Sequence, residues 1–134
     1  MVRTKTPEWI SCFSDGILIA VVSKQKMKFP FIIIVKSLHV KGMALYPFIL
    51  LREKEFSDDV VLMNHELIHH RQEVELFIVP FYFFYLLHYL INRLRYRTHR
   101  EAYYHIIFEK EAYAMENDLD YIKKRKLFSF LRYL

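Results

Sequence analysis

Cysteine, glycine and proline are scarce in this sequence. Among 134 residues there are one cysteine, two glycines and four prolines. Because Cys12 has no second cysteine to pair with, an intramolecular disulfide is excluded, and nothing indicates an oxidising compartment. We therefore expect a protein of the reducing cytosol.

The glycine-rich and zinc-finger patterns that accompany nucleic-acid binding are also missing. The net charge is +5 and the pI is about 9.3, which suits anionic surfaces. However, the basic residues are scattered along the chain or gathered near its C-terminus. We expect no nucleic-acid partner.

No convincing signal peptide is present, because the apolar run at 17–22 is short and no small-residue cleavage site follows it. We expect residues 1–28 to form an N-terminal extension or strand segment, in which Met27 is a candidate for the native start. Residues 29–134 have the length and the apolar content of a single domain.

The apolar stretch 76–91 has 16 residues without a formal charge, fewer than the roughly 20 that span a bilayer, and contains Pro80. Its length favours a core helix. The arginines that follow it and its many aromatic side chains favour the alternative, an element at a membrane surface. The basic and apolar segment 123–134 has the same two interpretations, packing on the domain or peripheral membrane contact.

Two apolar runs, 29–35 and 43–51, predict two strands of a small antiparallel sheet joined across Gly42. Since Pro47 cannot donate a hydrogen bond to a neighbouring strand, the second strand is expected at an edge. An edge strand of this kind can pair with an extended peptide.

The main candidates for catalytic and metal-binding residues lie in the segment His65-Glu66-Leu67-Ile68-His69. Acidic residues at 58–59 predict the start of a helix, on which side chains four residues apart lie on one face, about 5–6 Å apart at Cβ. His65 and His69 are therefore candidate zinc ligands, and Glu66 is the candidate general base for a zinc-bound water. The alternative is an ordinary amphipathic helix whose histidines are satisfied by hydrogen bonds.

Neighbouring polar residues on this helix have two interpretations each. Gln72 and Glu73 either hydrogen-bond the ligating imidazoles or lie on the helix surface. His70, four residues after Glu66, either steadies the base or is exposed to solvent.

A third ligand is expected from a later helix. Thr98 and Glu101 have the spacing of a capping box, which predicts a helix from Thr98 to about Asp118. The glycine and third histidine of the pattern HExxHxxGxxH are absent, which excludes a metzincin and favours a carboxylate. The candidates downstream are His99, His105, Glu109, Glu111 and Glu116, of which His105, Glu109 and Glu116 share one predicted helix face with Tyr113.

The segment Glu109-Lys110-Glu111-Ala112-Tyr113 resembles the E-x-x-A-D segment of the gluzincin group of zinc metallopeptidases. The resemblance implies that Glu109 is the third ligand, with Glu111 as the alternative. Tyr113 stands where that group has an aspartate that supports a ligating histidine. Most of the chain after Met27 also resembles a group of small bacterial HExxH proteins, which implies a minimal zincin-like α+β fold with three to four helices.

These observations predict a zinc-dependent hydrolase, most specifically a metallopeptidase with a peptide or protein substrate. Tyr113, Tyr103 or Tyr104 is the expected hydroxyl donor to the developing oxyanion. The alternative is a non-catalytic module that binds a membrane surface or a partner and carries a structural or vestigial metal site.

Overall fold

A computed structural model describes residues 30–134, so the predictions for 1–28 lie outside the described residues. The fold of the described residues is mixed α+β, as predicted, with three strands followed by five α-helices in place of the three to four that were expected. The strands are β1 (Phe31–Ile34), β2 (Gly42–Leu45) and β3 (Phe48–Leu51). The helices are α1 (Val60–Glu75), α2 (Val79–Arg95), α3 (His99–Tyr104), α4 (Ile107–Met115) and α5 (Tyr121–Lys124), with short 3-10 helices at Lys54–Asp58 and Ser129–Tyr133.

The sheet differs from the predicted one. Its order is β1-β3-β2, with β3 parallel to β1 and antiparallel to β2. The run 43–51 folds back on itself at Tyr46 and Pro47 and forms two strands instead of one. A proline fits this turn because it has no amide hydrogen to leave unpaired. The prediction of an all-antiparallel sheet with the Pro47 strand at its edge was therefore wrong, since β3 is central and β1 and β2 are the edges.

Helix α1 begins as predicted. The Asp59 side chain accepts hydrogen bonds from the amides of Val61 and Leu62 at 3.1 and 3.0 Å, which satisfies two of the free N–H groups of the first turn. The buried face of this helix is mostly polar and packs against β2 and α4. Buried polar side chains are costly unless they are paired, so this face is the first structural indication of a functional site.

The helix predicted from Thr98 to about Asp118 is broken. The capping box of Thr98 and Glu101 is present, but α3 ends at Tyr104 and α4 starts at Ile107. Side chains of α2 satisfy the backbone around the break: Asn92 donates to the Ala102 carbonyl and His88 accepts from the Ile107 amide, both at 3.1 Å. These long-range contacts compensate for the lost helical hydrogen bonds.

Two apolar clusters fix α4 against its neighbours. The aromatic side chains of Phe81, Phe108 and Phe130 join α2, α4 and the C-terminal 3-10 helix, whereas Ile68 and Ala112 join α1 to α4. As a result the first turn of α4, which carries Glu109, lies against the middle of α1.

Candidate metal centre

Three side chains converge on one point between α1 and α4. The Nε2 atoms of His65 and His69 are 3.1 Å apart, and the two carboxylate oxygens of Glu109 lie 3.4 Å from them, Oε2 from His65 and Oε1 from His69. Two nitrogens or oxygens bound to a tetrahedral zinc at 2.0–2.1 Å lie about 3.3 Å apart. The observed separations are close to this value, so the three side chains could hold one metal ion.

The donor set also fits a cation on electrostatic grounds. Glu109 is buried, and its Oε2 has no hydrogen-bond partner among the described residues. Burial is the largest influence on Glu109 and would raise its pKa, but the positive charge on His69 and the hydrogen bonds from His65, His69 and Tyr85 together hold that pKa well below its usual range. Burial is the largest influence on His69 and would lower its pKa, but the Glu109 carboxylate, with smaller effects of Glu66 and Gln72, raises that pKa to about 9. In the metal-free protein a proton on His69 thus compensates Glu109, and a bound metal ion would replace that proton.

The outer nitrogens of both imidazoles are held by hydrogen bonds. His65 Nδ1 lies 2.9 Å from Glu116 Oε2, and His69 Nδ1 lies 2.8 Å from Gln72 Oε1. Since a carboxylate and an amide oxygen can only accept, each Nδ1 carries a hydrogen, and Nε2 is the nitrogen that each imidazole would offer to a metal. In His69 this nitrogen becomes available when the additional proton leaves.

Glu116 thus holds His65 by a hydrogen bond and is not one of the three convergent residues. In the gluzincin pattern an aspartate has this supporting role, at the position where this sequence has Tyr113. The prediction that Gln72 bonds an imidazole is confirmed. Its amide NH2 group donates to the Phe108 carbonyl at 3.1 Å and to Glu111 Oε2 at 2.8 Å, which fixes the direction of the amide.

The other candidate ligands lie in other contacts. Glu111 accepts hydrogen bonds from Arg125 at 2.7 and 3.0 Å, from Tyr121 at 2.7 Å and from Gln72. His105 bonds the Glu101 carbonyl, and His99 bonds the Tyr89 hydroxyl. Of the carboxylates considered, Glu109 is the one that the fold places beside both histidines.

Glu66 lies beside the three convergent residues and is buried. Burial raises the pKa of Glu66, against the opposing effect of His69 and His65, and its carboxylate accepts a hydrogen bond from the Ala44 amide of β2. A Cβ atom at position 42 would lie 2.8 Å from Glu66 Oε1, so the glycine in β2 leaves room for the carboxylate. A raised pKa suits a group that must take up a proton near neutral pH.

A cavity of about 280 Å³ opens in front of these residues. Its polar end is formed by His65, Glu66, His69 and Glu109, and β2 and α2 supply mostly apolar walls. Such a cavity is near the lower end of the size range of small-ligand pockets, roughly 300–1,000 Å³.

Tyrosines complete the cavity. The Tyr85 hydroxyl donates to Glu109 Oε1 at 2.6 Å, a contact that the sequence analysis missed, and Tyr103 lies on the same wall. Burial, reinforced by the Glu109 charge, raises the pKa of both phenols, so both stay neutral donors. Tyr113 packs its ring on His65 with centroids 4.6 Å apart, and its role as a hydroxyl donor stays a prediction.

His70 and Glu73 are buried, which excludes the exposed helix surface that was one of two interpretations of each residue. His70 bonds the Phe48 carbonyl at 2.9 Å and thereby ties α1 to the sheet. Glu73 lines the cavity and accepts a hydrogen bond from the Tyr82 hydroxyl at 2.6 Å.

No family model, curated protein or solved structure matches this chain. The motif and the geometry of this site are therefore the features that indicate a function.

Proposed function

We propose that this protein is a zinc-dependent hydrolase and, more narrowly, a metallopeptidase related in mechanism to the gluzincins. One observation carries the proposal: two imidazole nitrogens and a carboxylate converge at ligand spacing, with a second buried carboxylate, Glu66, beside them at a cavity. Two histidines and one glutamate are a ligand set of catalytic zinc sites, in which a further position stays open for water or substrate.

In this proposal His65, His69 and Glu109 hold the metal. The bound zinc would polarise a substrate carbonyl and lower the pKa of water. Glu66 would accept a proton from water and return it to the leaving amine. Its burial beside the ligands raises its pKa, which suits this role. Tyr85 keeps Glu109 oriented through its hydrogen bond, while Tyr103 and Tyr113 are the candidate donors to the oxyanion.

Strand β2 supports a peptide as the substrate. One edge of β2 pairs with β3, and its residues Met43, Ala44 and Leu45 form a cavity wall beside Glu66. Extended peptides bind to strand edges through backbone hydrogen bonds. A peptide paired with β2 would place one of its backbone carbonyls at the polar end of the cavity. A peptide strand in this position is what a minimal zincin-like fold implies.

The non-catalytic alternative accounts less well for Glu66. A structural zinc site is closed by four protein ligands, whereas three donors converge here and Glu66 lies beside them without joining them. Here a carboxylate whose burial is costly is kept next to the ligands, and Gly42 leaves space for it.

Metal removal tests the proposal. The purified full chain, loaded with zinc, is expected to cleave components of a mixed-sequence peptide library, as followed by mass spectrometry. Dialysis against a chelator is expected to abolish cleavage, because the water would lose its activation, and stoichiometric zinc is expected to restore it. Cleavage that persists after the metal has been removed would contradict the metal-dependent mechanism, and a zinc-loaded chain that cleaves no peptide would contradict the peptidase assignment.

A further inference from the structure

The outer face of helix α2 is unusually apolar for a protein surface. Six side chains on this face are exposed to between 37% and 63%: Phe83, Phe84, Leu86, Leu87, Leu90 and Ile91. They recur at spacings of three and four residues, so they form one continuous strip along the helix. Leu94 extends the strip by one more turn and is 90% exposed. We call this strip the outer face of α2.

The inner side of the same helix is more polar than its outer face. The hydroxyls of Tyr82 and Tyr85 bond the carboxylates of Glu73 and Glu109, His88 accepts from the Ile107 amide, and Asn92 is buried. A helix on the surface of a water-soluble domain has the opposite arrangement, with its polar face outward. The contrast between an apolar outside and a hydrogen-bonded inside is expected for a helix whose outer surroundings are not water.

Charge marks one end of the outer face. The outer face carries no charged residue between 79 and 92, whereas Arg93, Arg95, Arg97 and Arg100 follow it closely and all are exposed. Arginine heads placed directly beside an exposed apolar surface complement the anionic headgroups that border the hydrocarbon of a bilayer.

A second apolar element lies at the other end of α2. The Phe128 amide donates to Glu75 at 3.2 Å, which holds the C-terminal segment against the corner between α1 and α2. At this corner Phe77 and Leu127 are 83% and 75% exposed. Lys126 and Arg132 flank the apolar residues of the C-terminal segment and are exposed too.

We propose that the outer face of α2 docks onto an anionic lipid bilayer, with the arginines after α2 at the headgroups. No single helix within residues 30–134 has the length and apolar character to span a membrane, although α1 and α2 together, with a bend of 112° between them, pass that test. The 17 residues of α2 extend over about 25 Å, less than the roughly 30 Å of hydrocarbon, so the helix lies along the surface. Because its inner side forms a wall of the cavity, docking would hold the candidate metal centre close to the bilayer.

The test is co-sedimentation of the full-length chain with vesicles, which needs neither zinc nor a substrate. We expect binding to vesicles of phosphatidylcholine mixed with phosphatidylglycerol, and much weaker binding to phosphatidylcholine alone or at high salt. The double variant Phe83→Glu/Leu87→Glu should bind at least about tenfold more weakly, since two anionic groups would enter the apolar contact. The double variant Arg95→Gln/Arg97→Gln should bind the anionic vesicles more weakly, by a factor of about five for each arginine removed.

Val60→Glu is the matched control. Val60 is also an exposed apolar residue, but it lies at the start of α1, about 22 Å along the helix from the corner with α2. This variant should bind vesicles like the wild type, and circular dichroism should show that all variants are folded. The proposal is overturned if the wild type does not bind anionic vesicles, or if Val60→Glu weakens binding as much as the α2 variants. Self-association through the outer face without vesicle binding, detected by sedimentation velocity, would assign the face to a second copy and likewise overturn it.

Discussion

Replacing Glu66 by glutamine is expected to lower the rate of peptide hydrolysis by a factor of about 10²–10⁴ while the metal content stays unchanged. Glutamine has nearly the same shape, so the contacts with Gly42 and Ala44 are kept. It cannot take a proton from water, however, so the reaction loses its general base. Because Glu66 is not one of the three convergent residues, the metal should still bind.

The measurement compares the rate of cleavage of one identified peptide by wild type and variant, with the zinc content of both samples. Glu73→Gln is the matched control, because it removes a second carboxylate from the same helix and cavity but one that is bonded to Tyr82. This control should keep most of its activity. Equal losses in the two variants would show that the negative charge of the cavity matters and that Glu66 has no special role.

Replacing Arg125 by methionine is expected to lower the free energy of unfolding by about 3–5 kcal/mol. The Arg125 guanidinium is buried and bonds the carboxylates of Glu111 and Glu75, of which Glu111 is fully buried. Methionine keeps much of the apolar stem but leaves both carboxylates without their cation. A buried charge that loses its partner costs far more than an exposed one.

Lys124→Met is the control for this variant, since the adjacent Lys124 forms an ion pair with Asp118 while 61% of its side chain is exposed. Exposed pairs contribute about 0–1 kcal/mol, so this change should have little effect. Urea denaturation at neutral pH measures both variants. Similar losses of stability in the two variants would contradict the assignment of Arg125 to a buried structural network.

The parts of the site that the sequence predicted are those defined by local spacing. The separation of four residues places His65 and His69 on one face of α1, and the Asp59 cap and the capping box at Thr98 follow from neighbouring residues. The choice of Glu109 came from a resemblance, and the structure brings this residue to both histidines.

The features that could not be predicted depend on contacts distant in sequence. The central position of β3 requires its pairing with β1, and the break before Ile107 requires Asn92 and His88 of α2. Nothing in the local pattern around His105 indicates a break, because that segment contains neither glycine nor proline.

One signal could have been recognised in the stretch 76–91. Tyr82, Tyr85 and Tyr89 recur at three and four residues, and His88 and Asn92 share their side of the helix, so a polar stripe is present in the sequence. This stripe predicts which side faces the rest of the protein. The core and membrane interpretations each treated the stretch as a whole, whereas the helix packs its tyrosine side on the domain and exposes the opposite side.

The most direct test of the candidate metal centre is elemental analysis of the purified protein after incubation with zinc and removal of the excess. We expect about one zinc ion per chain in the wild type and in Glu111→Gln, and little zinc in His69→Ala and Glu109→Gln, because only the last two remove a convergent donor. Glu109 and Glu111 are two residues apart and both buried, so the pair compares the same substitution inside and outside the centre. Absence of zinc from the wild type, or its loss from Glu111→Gln but not from Glu109→Gln, would contradict the account.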